Sequence, residues 1–152
     1  MAQRVVALIA GLWAGVLLCI GAIAAPAAFA ALVSADAGRL VGRMFAQEAY
    51  LSLALALVLL VIERQRSQAV AAAGTGSVLS PNILLLLGTL FCTVGGYFAV
   101  LPMMEAARAG QQGTLSFGTL HAVSGGLFAL KGLLVLALAW RLTALRAAAT
   151  TS

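Results

Sequence analysis

Four unbroken apolar stretches constrain the fold of this chain more than any other feature. They cover about residues 5–33, 45–62, 82–101 and 118–140. A helix needs about 20 apolar residues to cross the hydrocarbon core of a bilayer, so each stretch is close to spanning length. A transmembrane β-barrel would instead show short segments in which apolar and polar residues alternate. The sequence therefore predicts an all-α protein, a polytopic transmembrane four-helix bundle.

The composition excludes several other classes of protein. Hydrophobic residues make up 63% of the 152 residues and charged residues only 9%, whereas a soluble domain carries about a quarter charged residues. Both cysteines lie inside apolar runs, which indicates neither a disulfide framework nor a zinc site. The polar linkers are too short for a second domain. Residues 1–152 are thus predicted to form a single transmembrane domain.

The beginning of the chain allows two interpretations. Arg4, the apolar core that follows it and small residues near Ala24 are compatible with a cleavable signal peptide. The apolar run continues past Pro26, however. We therefore favour an uncleaved first span.

The arginines predict the orientation of the bundle. Four spans place both termini and the middle loop on one face, which carries five arginines: Arg4, Arg64, Arg66, Arg141 and Arg146. The opposite face carries three: Arg39, Arg43 and Arg108. Cytoplasmic loops are enriched in Lys and Arg, so both termini are predicted to be cytoplasmic. Topology and anionic lipid then explain the net charge of +5, and the bilayer rather than a nucleic acid is the expected partner.

The fourth apolar stretch has one polar side. At 100° per residue, small and polar residues share an arc of about 120°; they are His121, Ser124, Gly125, Phe128, Lys131 and Gly132. Val123, Leu127, Leu130, Leu133 and Leu134 lie on the other side. Since a charge at the bilayer centre costs about 3 kcal/mol, we expect Lys131 and its side of the helix to face the bundle interior.

Matching polar positions occur on the second and third stretches. Glu48 and Ser52 are four residues apart, as are Thr89 and Thr93, so each pair shares one helix face. Counted from the outer boundary, Glu48 and His121 lie in the outer leaflet, while Lys131 lies about 15 Å deeper than His121. We therefore expect water or hydroxyl groups between Glu48 and Lys131 rather than a direct ion pair.

Glycines and prolines predict where helices pack and end. Gly11 and Gly15, and likewise Gly95 with Gly96, are spaced to let helix backbones approach closely. Pro26 and Pro102 lie near outer helix ends and are expected to terminate their helices. Alternatively, a broken backbone there, together with Glu48, His121 and Arg43, lines a cavity that opens outward.

Several short motifs together resemble a known family. Phe117 to Ser124 form an F-x-x-x-H-x-x-S motif, which follows Trp13-Ala14-Gly15, Pro26-Ala27-Ala28-Phe29, Met44-Phe45 and Pro102. In order and spacing they resemble the TMEM205-like family, whose bacterial members are the DUF4149 family of small four-helix membrane proteins. The resemblance implies a four-helix transmembrane bundle in a bacterial inner membrane or a eukaryotic membrane, and it supplies no established activity. It matches His121, Ser124 and Pro102 to family positions, while Gly125 stands where many members have a second serine.

We predict a protein that binds or translocates a small polar or ionic species through the bundle interior. The residues expected along this pathway are Glu48, His121, Ser124, Lys131 and Arg43. A small bundle of this kind is expected to need a homo-oligomer or a partner membrane subunit to complete a pathway. The chain has no G-x-S-x-G motif, phosphate-binding loop or paired carboxylates, so an enzyme is not predicted.

Two alternatives remain open. His121 with Met44, Met103 and Met104 would offer Cu(I) the soft ligands that it prefers, and a His/Met pair could hold haem. Helix-end methionines more often only pack, so neither cofactor is our first expectation. The other alternative is a structural or accessory subunit whose polar residues only specify helix packing.

Overall fold

The computed structural model describes residues 2–110 and 115–150, with side chains described for 3–110 and 115–144. In these ranges the chain forms four long helices. The first, α1, comprises Ala2–Leu18, a π-helical segment Cys19–Ala24 and Ala25–Ala31; the second, α2, is Ser34–Ala72. The third, α3, comprises Pro81–Thr93, a π-helical segment Val94–Val100 and Leu101–Arg108, and α4 is Phe117–Thr150. All four are long and apolar enough to span a membrane, which confirms the predicted all-α transmembrane bundle.

Successive helices run in opposite directions, so the bundle has two distinct ends. The end that holds the start of α1, the α2–α3 connection and the end of α4 is called the terminal end. The distal end holds the α1–α2 and α3–α4 connections. The α3–α4 pairing is antiparallel, since Asn82 contacts Arg141 and Gly96 faces Leu127. Helices α2 and α4 are parallel, because Phe45 contacts Phe128 and Glu48 contacts Lys131.

Helix α2 is much longer than predicted. It begins at Ser34 rather than near residue 45 and continues to Ala72 rather than 62. Its 39 residues extend about 58 Å, well beyond a hydrocarbon core of about 30 Å. The prediction followed only the apolar part of the helix, whereas the polar turns at both ends are helical too.

Neither proline terminates its helix, so the expected termination is wrong at Pro102, and at Pro26 the structure follows the predicted apolar stretch 5–33 instead. Helix α1 continues to Ala31 and α3 to Arg108. A π-helical segment ends two residues before each proline: Cys19–Ala24 before Pro26, and Val94–Val100 before Pro102. Proline lacks the N–H that an α-helical turn requires, and the wider turn accommodates this gap without breaking the helix.

The apolar core lies toward the terminal half of the bundle and involves all four helices. Its most deeply buried side chains are Trp13, Leu17, Leu59, Leu86, Val135, Leu138 and Leu142. Many large apolar side chains point outward instead, for example Leu12, Phe91 and Leu133 at 63%, 71% and 65% exposure. Such a surface fits contact with lipid acyl chains rather than water.

The glycine predictions are half correct. Gly95 and Gly96 face Leu127 of α4, as expected for close packing, although this leucine was predicted to point away. Gly11 and Gly15 are exposed, and a Cβ at either position would meet no described atom within 4 Å. Of the three glycines in this helix, Gly21 is the one at which a Cβ would meet a side chain of α4, that of Phe128.

Candidate functional site

A buried ion pair joins α2 and α4 inside the bundle. Lys131 Nζ donates to Glu48 Oε2 at 2.6 Å, and the two side chains are only 5% and 2% exposed. The expectation that water or hydroxyl groups separate them is wrong. Because each charge neutralises the other, neither needs to reach the aqueous phase.

A chain of hydrogen bonds extends this pair to α1. Trp13 Nε1–H donates to Ser52 Oγ at 2.9 Å, and the Ser52 hydroxyl donates to Glu48 Oε1. Both carboxylate oxygens of Glu48 therefore have a partner. Within the described residues, no buried side-chain nitrogen or oxygen lacks a partner. The network thus ties three helices together and leaves no orphaned polar group in the hydrocarbon.

The direction of the lysine side chain explains why the pair is direct. Helical side chains lean toward the N-terminus of their own helix. Helix α4 starts at the distal end, so Lys131 leans toward the end where Glu48 lies. Its four-methylene stem then covers the difference in depth between the two backbones.

A second polar cluster at the terminal end provides a depth marker. Asn82 donates through Nδ2 to Glu63 Oε2 at 3.2 Å and accepts from Arg141 Nε at 3.1 Å. These three residues therefore lie at one level. Measured from it, Lys131 lies ten residues along α4, about 15 Å, and Glu48 fifteen residues along α2, about 22 Å. Both lie within a hydrocarbon core of about 30 Å.

An aromatic plug covers the ion pair on its distal side. We define it as Phe128 and Phe45, whose rings pack edge to face with centroids 4.9 Å apart. Lys131 Nζ lies 5.1 Å from the centroid of the Phe128 ring, within cation–π range. Gly21 of α1 completes the plug, since a Cβ there would come within 2.8 Å of Phe128 Cε1. The missing Cβ of Gly21 therefore leaves the space that this ring fills.

The remaining predicted pathway residues lie on the distal side of the plug. Ser124, one helical turn from Phe128, is half-buried, whereas His121 and Arg43 are exposed. The His121 ring stacks on Phe117 at 6.0 Å. The structure thus joins Glu48 directly to Lys131 but brings neither into contact with His121, and the polar side of α4 is exposed at its distal end.

The other residues singled out from the sequence are spread over the distal half of the bundle. Pro26, Pro102, Gly125 and Met103 are exposed, and Met44 is half-buried. Met104 is buried in a small apolar cluster with Val100 and Leu120. In the described ranges, no three His, Cys, Asp or Glu side chains group together as metal ligands would. The Cu(I) and haem alternatives, whose ligands would include methionine, stay predictions.

Fold and interior together define a class of protein. The chain is an integral membrane protein of four spanning helices with an ion pair buried between them. It belongs to the DUF4149 family: the sequence model of this family, described as a domain of unknown function, matches residues 8–112. The match covers Trp13, Glu48 and Ser52 and ends before α4, so Lys131 and the His121 motif lie outside it. The wider TMEM205-like assignment stays a prediction, and no curated protein or solved structure matches the chain.

Proposed function

We propose that this protein binds or translocates a small ionic species at the Glu48–Lys131 pair. The main support for this proposal is that both groups are almost fully buried in a membrane-spanning bundle and form an ion pair at 2.6 Å. Ionisable residues at this depth are expensive and commonly mark ion or proton pathways. The proposed activity is not enzymatic and needs no cofactor.

Charge balance indicates which exchange of ions costs the least free energy at this site. A cation that takes the place of the ammonium on Glu48 would add one positive charge to the hydrocarbon. If Lys131 releases a proton at the same time, the net charge of the site stays at zero. The Glu48 carboxylate and the Ser52 hydroxyl supply the hard oxygen ligands that such a cation prefers. We therefore propose exchange of a small cation for a proton.

The aromatic plug would control access from the distal end. Ser124, His121 and Arg43 lie beyond it, and the rings of Phe128 and Phe45 separate them from the ion pair. An ion entering from this side requires the Phe128 ring to change rotamer, since the ring already fills the space beside Gly21. Side-chain rotation of this kind is a small local motion that needs no rearrangement of helices.

The sequence-based topology completes the proposal. The terminal end carries most of the arginines, which favours cytoplasmic termini and the inner membrane of a bacterium. Because the bundle is small, a complete pathway is proposed to form in a homo-oligomer or with a partner membrane subunit.

Flux measurements on sealed vesicles test the proposal. We expect vesicles containing the protein to exchange external Na⁺ or K⁺ for internal protons, followed with an internal pH-sensitive dye. Glu48→Gln should abolish the exchange, because the cation loses its carboxylate. Glu105→Gln is the matched control, since Glu105 is an exposed carboxylate on α3. It should leave the exchange unchanged.

Two outcomes would count against this function. One is a wild-type rate that does not exceed the rate of empty vesicles. The other is a folded Glu48→Gln protein that exchanges as fast as the wild type.

The second candidate function, a structural or accessory subunit, is favoured by the complete hydrogen bonding of the network. It predicts that Glu48→Gln changes only thermal stability or assembly.

A further inference from the structure

The terminal end of the bundle contains a cavity that the proposed ion exchange does not use. It has a volume of about 260 Å³ and lies between the end of α2, the α2–α3 connection, the start of α3 and the end of α4. Its polar lining combines charged, amide and hydroxyl groups from Glu63, Arg66, Ser77, Ser80, Asn82 and Arg141. In the sequence, this region is recognisable only as a helix end and a polar linker.

The carboxylate in this cavity already has partners. Glu63 is 3% exposed, accepts from Asn82 at 3.2 Å and lies 3.6 Å from Arg66 Nη1. Since the lining holds two arginines and one carboxylate, its formal charge is +1. A ligand that neutralises this excess must be an anion.

Arg141 is positioned to receive such an anion. Its Nε donates to Asn82 Oδ1 at 3.1 Å, which fixes the plane of the guanidinium. In the described part of the chain, its Nη groups donate to no oxygen within hydrogen-bond distance. The planar fork of arginine matches the oxygens of a phosphate, with which it forms short, charge-assisted hydrogen bonds.

The first turn of α3 adds to the positive potential. Ser80 caps this helix by accepting from the backbone N–H of Ile83 at 3.3 Å, and Pro81 occupies its first turn. The positive end of the helix dipole therefore lies at the cavity, in addition to the two guanidinium groups.

The cavity also lies at the depth of lipid headgroups. Trp140, next to Arg141, is 76% exposed on the outer surface of α4, and tryptophan is enriched where acyl chains meet headgroups. Val70 and Leu79 line part of the cavity and provide an apolar contact beside the charged groups. A phosphodiester attached to a glycerol backbone would meet both kinds of surface here.

We propose that this cavity binds a phosphate group, either the phosphodiester of an anionic lipid or a free phosphate. The proposal does not depend on ion exchange at the Glu48–Lys131 pair. It assigns Arg141 and Arg66 as the groups that contact the phosphate oxygens, and Asn82 as the residue that positions Arg141.

Lipid retention and phosphate titration on the purified full chain test this site. By native mass spectrometry, we expect the protein to retain phosphatidylglycerol and not diacylglycerol, which has the same chains without the phosphate. Thermal stabilisation by inorganic phosphate measures the free-phosphate source. Arg141→Gln should weaken the binding of phosphatidylglycerol or phosphate about tenfold, because the phosphate loses a charge-assisted hydrogen bond. Arg64→Gln removes the same charge from an exposed position outside the cavity and should leave binding unchanged.

A second variant separates binding from folding. Ser77 lies in the α2–α3 connection and takes no part in the Glu63–Asn82–Arg141 hydrogen bonds. Ser77→Asp should therefore reduce phosphate binding while the melting temperature without ligand stays at the wild-type value. Retention of phosphatidylglycerol alone identifies a lipid site, and stabilisation by inorganic phosphate alone identifies a free-phosphate site. The proposal is overturned if neither binds, or if Arg64→Gln weakens binding as much as Arg141→Gln.

Discussion

Replacement of Lys131 by methionine is expected to lower the free energy of unfolding by about 3–5 kcal/mol. This is the cost of removing one partner from a buried ion pair, since the other charge is then left without compensation. Here the uncompensated group is Glu48, whose side chain is 2% exposed and would retain only the Ser52 hydroxyl as a donor. Reversible unfolding in mixed detergent micelles measures the change.

The double variant Glu48→Gln with Lys131→Met separates the ion pair from simple packing. Neither position then carries a charge, so we expect most of the lost stability to return. Arg64→Met is the control, because it removes a cation from an exposed position on α2. A Lys131→Met protein as stable as the wild type, or a double variant no more stable than the single one, would contradict the account.

Truncation of Phe128 to alanine is expected to admit water to the ion pair. The Phe128 ring packs against Phe45 at 4.9 Å and lies over Lys131 at 5.1 Å. Its removal opens the plug from the distal side and costs about 3 kcal/mol of stability. Because Lys131 is the only lysine in the chain, a water-soluble amine reagent and mass spectrometry report its accessibility directly.

We expect Lys131 in the Phe128→Ala protein to react about tenfold faster than in the wild type. This ratio corresponds to a decrease of about 1.4 kcal/mol in the free energy of exposing the amine to the reagent. Phe91→Ala is the matched control, since Phe91 is 71% exposed on the outer surface of α3 and does not cover the pair. It should leave the rate unchanged. Equal rates in Phe128→Ala and wild-type protein would show that this ring does not close the site.

The fold was predictable because it follows from the length of the apolar stretches. Lipid leaves helices as the only economical structure for such runs, and four runs give four helices. The helix bounds were less predictable, since polar turns outside the hydrocarbon, as at Ser34, are helical without an apolar signal. The π-helical segments before Pro26 and Pro102 were not predictable, because the apolar runs there are unbroken and carry no signal for a change of helix type.

The members of the interior site were partly predictable. Glu48, Ser52 and Lys131 stood out because polar residues in apolar helices must find partners. Their direct contact was missed because the comparison used backbone depths and left out the lean of the lysine side chain toward the start of α4. From the sequence, Trp13 is only a motif residue, because its hydrogen-bond partner is on another helix. The structure shows that its indole N–H donates to Ser52 at 2.9 Å.

The terminal cluster was the least predictable part. Glu63 lies just outside the second predicted stretch, 45–62, and Asn82 is the first residue of the third, 82–101. Their contact with Arg141 depends on the packing of three helices, which spacing along the chain does not reveal. A carboxylate directly at the end of an apolar stretch is the one signal that could have indicated a buried partner.

The most direct test of the central claim is the distance between Glu48 and Lys131 in a lipid bilayer. Selective ¹⁵Nζ-lysine labelling marks Lys131 alone, because the chain contains no other lysine, and ¹³Cδ-glutamate labelling supplies the partner. Solid-state dipolar recoupling should show a strong ¹⁵N–¹³C coupling, as a 2.6 Å contact between Nζ and Oε2 requires, and this coupling should vanish in Glu48→Gln. Absence of the coupling in wild-type protein would show that the ammonium has another partner, and the interior ion pair would have to be abandoned.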